Sequence, residues 1–216
     1  MYVPEHFALS TEQAAELLSP VAGGDLVSNG PNGLDSTFVP MLYQAGEGLG
    51  SMIGHLSRVN PQWRQPGEAL FIVNGPDDYV DAEWLSRPEA VSVPTWNYVT
   101  VHVHGELIAH DDPQWTLAAV QSISHGRGDD TVDTMPADAV EKLLRSIVGV
   151  ELRITKLVGK AKMSQNKSPE VIEQVIAGLL EAGNVEAAEW MRQNSLPRAQ
   201  AKAAMLADLR HQAGTD

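Results

Sequence analysis

Cysteine is missing from all 216 residues. Its absence excludes disulfides, thiolate metal sites and cysteine nucleophiles, leaves any metal to His, Asp or Glu, and favours a cytoplasmic setting. Positive charge is short as well: 15 Lys and Arg stand against 28 Asp and Glu, a formal net charge of −13. Contact with phosphate backbones needs clustered cations, so generic nucleic-acid binding is disfavoured. No apolar run reaches the roughly 18 residues of a membrane helix, and "MYVPEHFALSTEQ" lacks the basic and apolar regions of a signal peptide. Several enzyme signatures are also missing. Without G-x-G-x-x-G after a strand, G-x-x-x-x-G-K-[ST], H-E-x-x-H or G-x-S-x-G, Rossmann dinucleotide binding, P-loop phosphate transfer, zincin and serine-hydrolase chemistry lose their support.

What remains is ordinary globular material, 43% hydrophobic and 20% charged, long enough for one large or two small domains. Ser10 and Gln13 carry a capping-box spacing ahead of Ala14, Leu17 and Leu18, predicting a short N-terminal helix ended by Pro20. From 24 to 110 short alternating stretches are separated by Gly, Asn, Pro and Asp. That punctuation predicts hairpins and an antiparallel barrel or sandwich. Asp112 and Pro113 then predict a helix with Trp115, Ala119, Val120 and Ile123 on one face. A polar loop, "SHGRGDDTVDTM", and a second helix over 136–147 follow. In "VGVELRITKLVG" Val150, Leu152 and Ile154 alternate with polar residues, which predicts a late strand returning to the barrel. The tail is expected to be helical, with Ser168 as N-cap, Pro169 at the first position, Gly183 at the end, and shorter helices at 185–194 and 198–211. The expected domains are a barrel over 1–165 with a helical insertion at about 112–148, and a helical extension over 166–216.

Three stretches carry candidate chemistry. In "VPTWNYVTVHVHG", residues 93–105, strand alternation puts Val99, Val101 and Val103 on a core face and His102 and His104 together on the other. Two histidines do not make a metal site without a third ligand, and His55 or His110 would have to supply it from another strand. The plainer reading, imidazoles lining a polar pocket, stands ahead, and no metal is expected. In "GSMIGHLSRVNPQW", His55, Ser57 and Arg58 gather donors at a strand end that turns through Asn60 and Pro61, a suitable place for a phosphate or an ordinary solvated strand end. In "GKAKMSQNKSPE", Lys160, Lys162 and Lys167 frame Ser164, Gln165 and Asn166 ahead of a helix start, a cationic turn that suits an anion or serves solubility.

Together with "MYVPEHF" and "NGPDDYV", these three stretches resemble, in order and spacing, the PaiB-type proteins, described as FMN-binding negative transcriptional regulators. That family is similar to the wider flavin-binding split-barrel group that includes pyridoxamine phosphate oxidases. The resemblance runs from Met1 to about Leu180. It departs at Ala161, where the family typically has Trp, at Ser36 and Phe38, and in the loop 124–135, which lacks the family's Pro-Trp pair. The resemblance implies a mainly β fold with helices: a six-stranded FMN-binding split β-barrel with helical insertions and a helical C-terminal tail. It implies a homodimer with FMN at the barrel and subunit interface, held by His55, Ser57, Arg58, Trp96, Asn97, Lys162, Ser164 and Gln165, with His102 and His104 as lining or dimer contacts. A negative regulator is the first functional reading, with direct DNA contact disfavoured by the charge. The alternatives are a flavin-dependent oxidoreductase using NAD(P)H, in which FMN carries the chemistry, and a haem- or metal-handling barrel.

Overall fold

A computed structural model describes residues 1–85 and 92–213. Six strands arise where the sequence alternates: β1 (Val21–Gly30), β2 (Gly33–Gln44), β3 (Ser51–Ser57), β4 (Gly67–Val80), β5 (Thr95–His110) and β6 (Ile147–Lys162). They close in the order β1-β2-β3-β6-β5-β4. β1 and β2 form an antiparallel hairpin from Val21 opposite Leu42 to Gly30 opposite Gly33. β3 runs antiparallel to β6, placing His55 opposite Gly149 and Ser57 opposite Ile147. This is the six-stranded split barrel with helices that the resemblance implied.

The chain divides into two compact units, one of Met1, Leu9–Val73 and Val101–Gly159, the other of Tyr2–Ala8, Asn74–Thr100 and Lys160–Asp216. The first unit holds the barrel core. Leu26, Met41, Met52, Phe71, Val103 and Leu152 are fully buried there, each the inward member of an alternating strand. Val101 and Val103 lie in this core while His102 and His104 are half-buried, as the alternation predicts. Helix α1 (Thr11–Glu16) begins at the expected capping box: Gln13 N–H donates to Ser10 Oγ at 3.2 Å and Ser10 N–H to Gln13 Oε1 at 3.0 Å.

After β5 come α2 (Pro113–Gly126), α3 (Thr131–Thr134) and α4 (Ala137–Leu144). Asp112 caps α2 by accepting from Gln114 N–H at 2.9 Å. The stretch read as a polar loop is more ordered than that. α2 continues through Gly126, and Asp129 accepts from Thr131 N–H at 2.8 Å to start α3. Asp133 then takes bonds from His125 at 2.6 Å and Gln121 at 2.8 Å. Polar side chains supply the order here, which a search for apolar periodicity does not register.

The second unit holds α5 (Pro169–Glu181), α6 (Val185–Trp190) and α7 (Leu196–Ala213). Val171, Ile172, Val175, Ile176 and Leu179 are buried along the predicted α5 stripe, and Gly183 follows it at φ 85°, a left-handed position that favours glycine. The tail departs from two separate short helices. A π turn over Met191–Ser195 joins α6 directly to α7, with Leu196 N–H bonded to Met191 O, and Pro197, which has no N–H to donate, follows immediately after this widened turn.

Candidate functional site

In the first unit, the segment 57–64 spends its polar side chains on holding itself in place. Asn60 Oδ1 accepts from Gln62 N–H at 2.9 Å and opens a short 3₁₀ turn at Pro61. Gln62 is fully buried. Its amide nitrogen donates to Leu26 O at 3.0 Å, Ser28 Oγ at 3.1 Å and Asp35 O at 3.2 Å, and its amide oxygen accepts from Thr37 and Asn60. This pins the turn to the β1–β2 hairpin. Trp63 Nε1 donates to Arg58 O at 3.1 Å, and the Arg64 guanidinium lies 4.5 Å from the Trp63 ring centre.

Arg58 is the residue this framework displays. Its backbone N–H donates to Ser146 O at 2.8 Å, and its guanidinium reaches Ile147 O at 3.0 Å and the Asp111 carboxylate at 2.7 Å. The side chain is 35% exposed, and Asp111 is more open still at 60%. The hydrogen bond from Arg58 holds the Asp111 carboxyl below its ordinary range. Ser57, beside it at the strand end, is exposed. A partly exposed guanidinium and an exposed hydroxyl at a turn suit an anionic oxygen cluster. Asp111 was not anticipated from the sequence. Only its place just before the Asp112 cap could have drawn attention to it.

His55 has different surroundings. It points to the outer face of β3, among side chains of α2, α3 and α4 that are all apolar, and burial lowers its pKa from the usual 6.5. Such a setting offers little to a phosphate. His110 is likewise engaged: its ring stacks on Trp115 at 3.9 Å and its Nε2 lies 3.0 Å from Glu151.

His102 and His104 share a face with ring centres 6.4 Å apart. Both pKa values are lowered, first by burial; the chain's N-terminal ammonium adds to this for both, and Lys156 for His104, which Glu68 opposes. His104 borders a cavity of about 650 Å³ with Ser28, Asn29, Glu68, Glu106 and Thr155. Among the described residues no three His, Asp or Glu side chains gather closely enough to hold a metal ion.

The second unit brings together Trp96, Asn97, Lys162, Ser164 and Gln165. Asn97 and Ser164 are buried and bonded to each other, with Asn97 Nδ2 donating to Ser164 Oγ at 3.0 Å. Ser164 has φ 60°, a left-handed conformation that its buried hydrogen bond helps fix. Gln165 folds back onto its own turn, accepting from Met163 N–H at 2.8 Å and donating to Ala161 O and His6 O. Ser195 Oγ donates to Met163 O at 2.7 Å. These polar groups build the turn. Lys162 and Trp96 are the more accessible members: Trp96 is 52% exposed with its indole N–H on Asp77 at 2.9 Å. The Lys162 ammonium donates to Thr95 Oγ1 and Trp96 O, and burial, then Lys160 and Lys167, lowers its pKa from 10.5. Ala161, which stands at a position the resemblance fills with Trp, is 1% exposed.

The chain is 27% identical over 187 residues to the protease synthase and sporulation protein PAI 2 of Bacillus subtilis, an alignment covering 81% of this chain and 89% of that protein. A conserved hypothetical protein of Mycobacterium tuberculosis, Rv2991, superposes with a TM-score of 0.53 at 13% identity, covering 77% of this chain and 94% of that one. The flavocytochrome Anf3 of Azotobacter vinelandii gives 0.51 at 12% identity, covering 74% and 72%. At such identities the two structures establish the fold. Residues 1–156 match the family described as "Putative FMN-binding domain", and the chain belongs to that FMN-binding family.

Proposed function

We propose that this FMN-binding protein is a homodimeric, cytoplasmic regulator of the negative transcriptional type, with the flavin phosphate on Arg58 and Ser57. The observation that carries the site is the inward use of Asn60, Gln62 and Trp63, which leaves the guanidiniums of Arg58 and Arg64 and the Ser57 hydroxyl as the outward donors of their segment, with Arg58 and Ser57 adjacent at the strand end. When bound, FMN supplies a redox-active ring and a doubly charged phosphate. The chain's own part is to hold that phosphate by charge-assisted hydrogen bonds. Within the second unit, taken by itself, Lys162 offers a cation and Trp96 an exposed aromatic face suited to a flavin ring. Asn97, Ser164 and Gln165 act behind them by fixing the turn that carries Lys162.

The regulatory role is supported by the 27% identity to PAI 2, which is named for protease synthesis and sporulation. With a net charge of −13, repression through a partner or small molecule is favoured over direct DNA contact. A second reading is a flavin-dependent oxidoreductase using NAD(P)H, in which bound FMN carries the chemistry. Leu34 and Phe38, 80% and 69% exposed on the outer face of β2, support a homodimer, since such apolar side chains gain by being covered.

The test is the visible spectrum of purified protein after adding FMN and removing excess by gel filtration, with Arg58→Ala alongside. Retained flavin absorbance that is lost in the variant supports the site; equal retention by both refutes the Arg58 assignment. Bleaching of bound flavin by NAD(P)H would favour the oxidoreductase, and a gel shift of promoter DNA by the protein alone would overturn indirect repression.

A further inference from the structure

The helical insertion covers the outer face of β3 without filling the space beneath it. A cavity of about 170 Å³ remains, walled by Leu117 and Val120 of α2, Val132 of α3, Met135 just after it, and Val140 and Leu144 of α4. Its one polar lining residue is His55. The His55 Nδ1 atom is buried and has no hydrogen-bond partner, a costly state for a polar group. A neutral imidazole nitrogen at that position offers one hydrogen bond, as donor or acceptor.

The helices that roof this space are themselves underpacked. α3 and α4 bury no residue completely, although Val140 and Leu144 of α4 point their apolar side chains at the cavity. A void of this size forfeits dispersion contacts along every wall, and an apolar protein cavity of about 150 Å³ is known to take up benzene. Met135 adds an adaptable side chain at the rim. The walls carry no charge, so an ion gains nothing there. FMN, with three fused rings and a phosphate, exceeds the space in both size and polarity.

We propose that this cavity is a second ligand site, for a small neutral aromatic or short-chain molecule of about benzene size with one hydroxyl, N–H or carbonyl group, which bonds to the His55 imidazole as the ring turns its unpartnered nitrogen toward the cavity. The apolar body fills the space under α3 and α4 and completes their packing. Phenol is the simplest compound with these properties, and toluene matches its shape without the hydroxyl. The site is independent of the phosphate assignment, because neither Arg58 nor Ser57 lines it.

The experiment titrates phenol and toluene into the full-length protein carrying ¹³C-methyl methionine, following the Met135 methyl resonance, assigned by Met135→Leu. Saturable shifts with phenol, at about five- to tenfold higher affinity than with toluene, are expected from one added hydrogen bond. His55→Phe should remove the preference for phenol while toluene still binds, which also reports that the variant is folded. Val140→Phe, which fills the cavity, should abolish both titrations. The proposal is overturned if neither compound gives a saturable shift, if phenol and toluene bind equally to the wild type, or if Val140→Phe binds as the wild type does. It is equally overturned if the Met135 resonance follows protein concentration and self-association instead, which would assign the face to a second copy of the chain.

Discussion

The Arg58 guanidinium rests on the Asp111 carboxylate at 2.7 Å, so the cation best placed for a phosphate already has an anionic partner. With Asp111 so open to solvent, the pair is the kind that contributes little to stability, and its consequence is for binding. A phosphate arriving at Arg58 must share it with Asp111 or displace it. Asp111→Asn should therefore raise FMN affinity a few-fold, while Arg58→Ala should lower it by roughly tenfold or more, as expected for a lost hydrogen bond to a charged group. Titration of flavin fluorescence measures both. A weaker-binding Asp111→Asn would mean that the carboxylate positions Arg58 and does not compete for it.

Gln62 is the hub that fixes the Arg58 turn to the β1–β2 hairpin. Its amide nitrogen shares its two hydrogens among two backbone carbonyls and a buried hydroxyl. Gln62→Leu keeps the bulk but leaves those acceptors unpaired, which should cost about 2–3 kcal/mol. Urea denaturation should show a lower midpoint at unchanged slope. FMN affinity should fall as well, since the turn that presents Arg58 loses its anchor. A variant with an unaltered midpoint would show that water replaces the amide.

Gly149 lets Trp115 lie against β6. A Cβ at this position would stand 2.4 Å from Trp115 Cε3, far inside contact distance. Gly149→Ala must push the indole away from the strand, disturbing its 3.9 Å stack on His110, and should cost about 1–3 kcal/mol as other overpacked sites do. Near-ultraviolet circular dichroism and thermal unfolding would register the two effects. An unchanged aromatic signal would mean that Trp115 moves freely.

Much of the barrel was legible because strand alternation and capping act over a few residues. The valine face of β5, the Ser10–Gln13 box and the α5 stripe all follow from spacing alone. The polar roles were harder. The resemblance offers Asn97 and Ser164 as ligand contacts; they stand 67 positions apart in the sequence and are buried against each other. Likewise His55 reads as a phosphate donor from its neighbours Ser57 and Arg58, but the helices that surround it with apolar side chains lie about 60 to 90 residues further along the chain. A side chain's residue type is local information, whereas its partner is set by tertiary packing.

Stability should depend on pH through the buried histidines. His55, His102 and His104 all have folded pKa values below 6.5, with burial as the first cause. A group whose folded pKa is depressed takes up protons more readily in the unfolded chain, so unfolding is favoured as pH falls. Their contribution is complete above about pH 6.5, declines as pH drops below that value, and levels off once the folded values are passed. Asp111 and Asp129, held below 3.8 by their hydrogen bonds, act only in a more acidic range, so the two effects separate. Urea midpoints measured at pH 7.5, 6.0 and 5.0 should fall over this interval. His55→Leu, which removes the most buried of the three rings, should flatten the decline; a variant with the full wild-type slope would place the effect on His102 and His104 instead.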